Sequence, residues 1–474
     1  MLPVNTESRI EPANHSSKFR QQHYDRGCQK NLQGLNSLRP LSSITKILTN
    51  HKAISSSVAA ALLVVGLVIG GAVGYGITAS TSKVGVTTTV TGAAGPTTYT
   101  IGSIQPITGS LASFGVSFQN SVDLAVKQMN ANLTAVGSNI QFKAVHADDQ
   151  QTPGGALTAL TSEFTSQGVQ VVIGPLTSAE VQGVIQYATQ NHIVVLPGAA
   201  TATALIGVSP YLFRPGQPGD QFESTVIAQS VIQTGGKNVV YLYRNDISEY
   251  GTFNASMKIM LAAGLKVQGI ALPAGQSDYA AQVQTAGTNV AQYLSSGGTT
   301  SNTVVVLGDH GTEAQNVFQH AATDTNLQKA RWYGIEALDD QQLLGSSVAA
   351  FMAHSNLTIA APSALSSPQF NYFNKTYAAE FGKPPQPFSG YFYDNAWIAM
   401  LSILAAGNNG QSIAKVLPIV ADHFFGSSST GIWLVSHDQS IALYDVLKCV
   451  QSGAKYTFVK IGSYDGGTNQ LTLG

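Results

Sequence analysis

Eight short apolar runs, at residues 99–105, 140–146, 169–174, 193–196, 238–243, 266–272, 303–308 and 332–334, alternate with amphipathic segments. This alternation narrows the fold more than any other feature of the chain. After the first run, Phe118, Val122, Ala125, Val126 and Met129 share one face of a helical period, so that segment reads as a helix. Apolar strands separated by helices imply parallel sheets covered on both faces. The units are too many for one small sheet, so the predicted fold is α/β with two doubly wound lobes. The run Phe213-Arg214-Pro215-Gly216-Gln217-Pro218-Gly219 is rich in turn formers and reads as the first crossing between lobes. Beyond Pro362 the pattern is helical over 367–381, 389–406 and 411–424, then β-rich with turns at 436–439, 451–454 and 464–467.

Charge divides the chain. Only 10% of residues are charged, 24 Lys+Arg against 25 Asp+Glu, and this near-neutrality excludes a nucleic-acid binder that works through a basic field. Residues 1–52 hold eight Lys/Arg against Glu7, Glu11 and Asp25, a net charge of +5. Residues 84–474 hold 15 basic and 22 acidic residues, a net charge of −7. No charge falls in residues 53–79, whose apolar centre from Val58 to Ala79 would span roughly 33 Å as a helix, enough for a ~30 Å hydrocarbon layer. With Lys and Arg gathered before it, this segment is predicted to be one transmembrane anchor with a cytoplasmic head and the rest of the chain outside. A signal peptide with a long basic region, or processing near Lys52-Ala53, is the alternative. Gly66, Gly70 and Gly74 have the spacing that lets membrane helices approach closely. Residues 80–98 are Thr/Gly-rich and read as a spacer. In the outer body Cys449 stands alone, so no intrachain disulfide is expected there. A body so poor in carboxylates suggests an acidic surrounding, where few groups would be protonated to the fold's cost.

Motifs for chemistry are missing. The sequence contains no HExxH, GxxxxGK[ST], CxxC or GxSxG pattern. His146-Ala147-Asp148-Asp149 reads as a strand end and turn rather than a metal site, and His437-Asp438 as a solvated turn. Asp309, His310 and Glu313 could offer metal ligands, but no nucleophile–base set accompanies them. No catalytic residue, metal or cofactor is expected, and the chain does not read as an enzyme.

Ile101-Gly-Ser-Ile-Gln-Pro-Ile-Thr-Gly-Ser-Leu-Ala-Ser-Phe-Gly115 resembles the first strand and loop of the Leu/Ile/Val-type (type I) extracytoplasmic solute-binding proteins of ABC transporters. Ala147-Asp-Asp-Gln-Gln-Thr-Pro153, Val172-Ile-Gly-Pro-Leu-Thr-Ser178 and Val194-Val-Leu-Pro-Gly-Ala-Ala-Thr201 follow in the family's order. Ser248-Glu-Tyr-Gly251, Val304-Val-Val-Leu-Gly308, Gly334-Ile-Glu336, Pro384-Pro385, Tyr393-Asp-Asn-Ala396 and the 431–440 turn complete a match over roughly 99–465. The resemblance implies the type I periplasmic-binding-protein fold, with two lobes joined by three hinge crossings. Residues 99–216 and 363–430 would form lobe 1, and 217–362 and 431–474 lobe 2. It implies a tethered receptor that hands a small ligand, an amino acid of the branched-chain type, to ABC permease subunits. The ectodomain of a sensor, or a binder of urea or short amides, is the alternative. Ser178, the Ala199 backbone and Thr201 would hold an α-carboxylate, and Glu336 the α-ammonium, while Phe114 and Tyr250 would line the cleft. Ser178 also opens a helix, where free N–H groups favour an anion, with Thr177 and Glu180 placed as a capping box. Asp309-His310-Gly311 departs from the family pattern: Gly311 removes bulk, and Asp309 or His310 could add a polar contact. That leaves polar amino acids and amides open as ligands.

Overall fold

The computed structural model describes residues 97–363, 367–428, 434–435, 437–439 and 442–474. The basic head, the 53–79 anchor and almost all of the 80–98 spacer lie outside the described residues. Among the described residues no helix is long and apolar enough to cross a membrane.

Four parallel strands form the first lobe's sheet: β1 (Thr97–Gln105), β2 (Ile140–Asp148), β3 (Val171–Ile173) and β4 (Val194–Leu196), in the order β2-β1-β3-β4. Successive side chains of a strand point to opposite faces, so each strand feeds two cores. Val171, Ile173, Val194 and Leu196 face the core closed by helix α1 (Ala112–Ala135), while Val172 and Val195 face that closed by α2 (Ser178–Gln190).

The second lobe carries α3 (Asp220–Gln233), β5 (Asn238–Arg244), α4 (Ile247–Ala262), β6 (Lys266–Leu272), α5 (Ala280–Ser295), β7 (Thr303–Gly308), α6 (Gly311–Ala321), β8 (Arg331–Gly334) and β9 (Thr358–Pro362). Strands β6-β5-β7-β8-β9 pair in parallel. The chain then returns to the first lobe with α7 (Pro368–Phe381), α8 (Ser389–Ala406) and α9 (Gly410–Asp422); α8 lies against α1, where Phe118 and Phe392 stack with ring centroids 4.0 Å apart. After a short pair, β10 (Leu434–Val435) and β11 (Asp438–Gln439), the chain finishes in β12 (Leu443–Ser452), β13 (Lys455–Asp465) and β14 (Gln470–Leu473). These last three strands extend the second lobe's sheet, β12 pairing antiparallel with β9, β13 with β12 and β14 with β13. The second lobe is therefore a mixed sheet of eight strands, not the wholly parallel one that strand–helix alternation predicts. Strand β9 carries no clear signal in the sequence, because its Ala-rich run is too short to show a period.

The chain passes between the lobes three times, and the connecting segments lie side by side. The Arg214 N–H donates to the His437 carbonyl at 2.8 Å, and the Ser363 N–H to the Leu443 carbonyl at 2.9 Å. Arg214 itself is buried; Nε donates to Asp438, and Nη1 donates to the carbonyls of Ala200 and Ala202 at 3.0 and 2.9 Å. Asp438, expected to be solvated, is thus the counter-ion of an inaccessible guanidinium. A buried arginine needs that pairing, because its charge is costly to desolvate alone.

Candidate ligand-binding cleft

A cleft opens where the carboxyl ends of the two sheets face each other. Loops that leave those strand ends supply most of its lining, as open α/β sheets generally arrange. From the first lobe come Leu111 and Phe114 after β1, Ser178 after β3, and Ala199 and Thr201 after β4. From the second come Asp246, Ser248 and Glu249 after β5, His310 after β7 and Glu336 after β8. Gln217 of the first crossing and Glu223 of α3 complete the polar part, and Phe388, just before α8, adds an aromatic wall.

The α2 end forms as its residues dictate. Thr177 accepts from the Glu180 N–H while the Glu180 carboxylate accepts from the Thr177 N–H, a complete capping box. Ser178 is left free of capping; its Oγ accepts the Ala202 N–H at 3.1 Å, holding the loop after β4 against the helix start, and keeps its own proton for a ligand. Thr201 lies 3.3 Å from the Ser248 hydroxyl, which in turn donates to Asp220 at 3.0 Å, so this chain of hydroxyls bridges the lobes. Opposite them, Gly311 has φ +59°, and a Cβ there would sit 2.4 Å from the Ser110 carbonyl oxygen. Its glycine serves the contact between lobes, whereas the sequence suggested room for a ligand.

The second-lobe wall is acidic. Glu336 accepts from Gln217 Nε2 through Oε1, and its Oε2 is buried without a partner. The Glu336 N–H donates to Glu223 at 2.8 Å. Burial, reinforced by the Glu336 charge, pushes Glu223 well above the usual carboxylate range. Burial likewise raises Asp220 to about 7, against the hydrogen bond from Thr201 that favours its ionised form. Further along, Asp246 caps α4 by accepting the Ser248 and Glu249 N–H groups at 3.0 and 3.1 Å. Burial works to raise Asp246, but the hydrogen bond with Glu249 and the Arg244 charge outweigh it and hold it low. Glu249 moves the other way: burial and then the Asp246 charge push it well above its ordinary range. His310 accepts from Arg244 Nη1 at 2.8 Å through Nε2, and burial lowers it to about 3, so it is neutral.

Of the residues singled out in the sequence, Ser178, Ala199, Thr201, Glu336 and Phe114 all border this cleft. Tyr250 does not: it is about half exposed, and its ring packs on Tyr243 and Phe253, with centroids 5.9 and 6.4 Å away. One residue earlier on α4, Glu249 takes the inward place. Asp309 is fully buried behind the lining, where its Oδ1 accepts the His310 N–H at 2.8 Å. The ligand atoms that approach one another within 4.8 Å belong to Asp246, Glu249 and His310, not to Asp309 and Glu313. The 146–149 stretch is a strand end and turn, with Asp148 accepting from the Ile107 and Gln150 N–H groups. Glu223, Asp246, Gln217 and Phe388 escaped sequence reading, since nothing in their local pattern marks them; only Gln217, inside the Pro/Gly-rich crossing, lay in a segment already singled out.

The Leu/Ile/Val-binding protein BraC3 of Rhizobium johnstonii is 28% identical over 187 residues, which cover 38% of this chain and 49% of that protein. This chain spans less than half the length of the curated relatives it matches. Similar folds include the branched-chain amino acid transporter substrate-binding protein of Streptococcus pneumoniae in complex with isoleucine, at 20% identity over 77% of this chain and 99% of that one, with a TM-score of 0.63. An ABC transporter solute-binding protein from R. palustris in complex with benzoate is 17% identical, covering 79% and 97%, with a TM-score of 0.64. A family model described as periplasmic binding protein matches residues 98–418, and the chain belongs to that family.

Proposed function

We propose that the chain is a solute receptor that closes on an amino acid and delivers it to the permease of an ABC importer. The observation that carries this reading is the pairing of unlike ends in one cleft. Ser178 and the start of α2 offer donors for a carboxylate, with Thr201 bordering the same place, and Glu336, with one oxygen unpartnered, faces them with a charge for an ammonium. Leu111, Phe114, Leu176 and Phe388 supply apolar surface for a side chain. An aromatic acid such as the benzoate held by the R. palustris protein would lack a cation for Glu336, and the acidic wall would repel it. The body is held at the outer face of the membrane by the uncharged 53–79 segment, with the +5 head inside.

A thermal-shift screen of the full chain against amino acids, amides, urea and aromatic acids tests the ligand class. A ligand at a hundredfold excess over its Kd adds ~2.7 kcal/mol of apparent stability. Amino acids are expected to raise the melting temperature; a response to urea or acetamide alone would remove Glu336 from the role of ammonium partner. Recovery of the chain in the membrane fraction, resistant to carbonate extraction, is the result expected of the anchor.

A further inference from the structure

We propose that the second-lobe wall selects an amino acid whose aliphatic side chain ends in a second cationic group, held by Glu249 and Asp246. This rests on the reading that the cleft binds an amino acid. Four carboxylates, from Asp246, Glu249, Asp309 and Glu313, are grouped around one guanidinium, that of Arg244. Arg244 lies 3.3 Å from Asp246 and 3.7 Å from Glu313. Glu313 is further satisfied by the Tyr279 hydroxyl at 2.6 Å and the Gly275 N–H at 3.1 Å. His310 cannot supply a second positive charge. Arg244 has only donors, so the His310 nitrogen it contacts must be an acceptor, and the ring is neutral.

Glu249 hydrogen-bonds Asp246 but is therefore left without a counter-charge of its own. It is 8% exposed, lines the cleft, and its Oε2 is buried with no hydrogen bond. A buried carboxyl in that position either keeps a proton or takes a cation. Leu111, Phe114 and Leu176 lie along the same cleft from the first lobe, so a methylene stem has apolar cover while its head meets Glu249 and Asp246. A branched aliphatic side chain would leave Glu249 Oε2 without a partner, and an acidic one would add to the repulsion. A bare divalent ion is a poorer occupant, because Arg244 already uses the imidazole lone pair and places its own positive charge beside the ion.

Isothermal titration of the full chain with lysine, arginine, leucine and norleucine decides the matter, norleucine having the lysine stem without its terminal ammonium. Lysine or arginine is expected to bind on the order of 100-fold more tightly than norleucine, the cost of leaving a buried charge unpaired. Glu249→Gln is expected to shrink that ratio by about 30-fold. Should the variant fail to fold, the ratio in the unmodified chain still decides. Norleucine or leucine binding as tightly as lysine overturns the cationic subsite and leaves the amino-acid reading standing. Binding of none of the four, with a thermal shift from urea or acetamide, overturns both. A thermal shift from zinc(II) alone, with lysine silent, assigns the carboxylates to an ion and overturns the proposal.

Discussion

Gln217 donates from Nε2 to Oε1 of Glu336 at 2.5 Å, so the first segment between the lobes directly holds the carboxylate at the floor of the cleft. Glu336 also lies in a crowd of like charge, since its field raises both Glu223 and Asp220. Glu336→Gln should thus weaken amino-acid binding by ~2–5 kcal/mol in a titration experiment. The same change should leave the melting temperature of the ligand-free chain unchanged or higher, because it relieves repulsion. A lower melting temperature would mean that Glu336 stabilises the fold rather than serving the ligand.

Arg214→Ala should be severely destabilising, by ~3–5 kcal/mol in denaturant unfolding. It strands Asp438 and removes the donors to the carbonyls of Ala200 and Ala202. Since those carbonyls belong to the loop that carries Ala199 and Thr201, any folded population should also bind ligand more weakly.

Gly311→Val places a Cβ against the Ser110 carbonyl and forces a branched residue into left-handed backbone. The contact between the lobes must loosen. Small-angle scattering should show a larger radius of gyration with saturating ligand than the unmodified chain shows, and the affinity should fall at least about tenfold, given ~1–3 kcal/mol of backbone strain.

Stability should rise as the solution is acidified. Burial raises Asp149 to about 8, Asp220 to about 7, and Asp339 and Asp394 to about 6, all from 3.8. The native state therefore binds more protons than the unfolded chain between about pH 4 and pH 8, and stability is lost as pH rises through that window. Asp148 and Asp246 are shifted the other way: hydrogen bonds, chiefly from Thr108 to Asp148 and between Glu249 and Asp246, outweigh their burial. They withdraw stability only below about pH 4, while His310, lowered by burial from 6.5 to about 3, offsets part of the gain below about pH 6.5, where the raised aspartates outnumber it. The ligand-free melting temperature should be highest near pH 5, and a maximum above pH 7 would contradict these assignments.

Strand and helix periods in the sequence correspond to elements that form: the run at 266–272 is β6, and the pattern at 389–406 is α8. The α2 cap was equally legible, because Thr177 and Glu180 lie within one turn of each other and need no distant partner. Glu249 and Tyr250 show where legibility stops. They are neighbours on α4, yet one borders the cleft and the other is about half exposed, a difference set by how the helix packs against β5 and α3.

Local sequence carries the period of each element, the caps and the motif order that marks the family, because each depends on residues a few positions apart. Only the tertiary structure brings Gln217 to Glu336, 119 positions on, Arg214 to Asp438, 224 on, and Arg244 to His310, 66 on. Whether a carboxylate in this chain is a surface charge, a hinge counter-ion or a buried group awaiting a cation depends on desolvation and on which opposite charge the fold places beside it. Both are properties of packing, and neither has a signature along the chain.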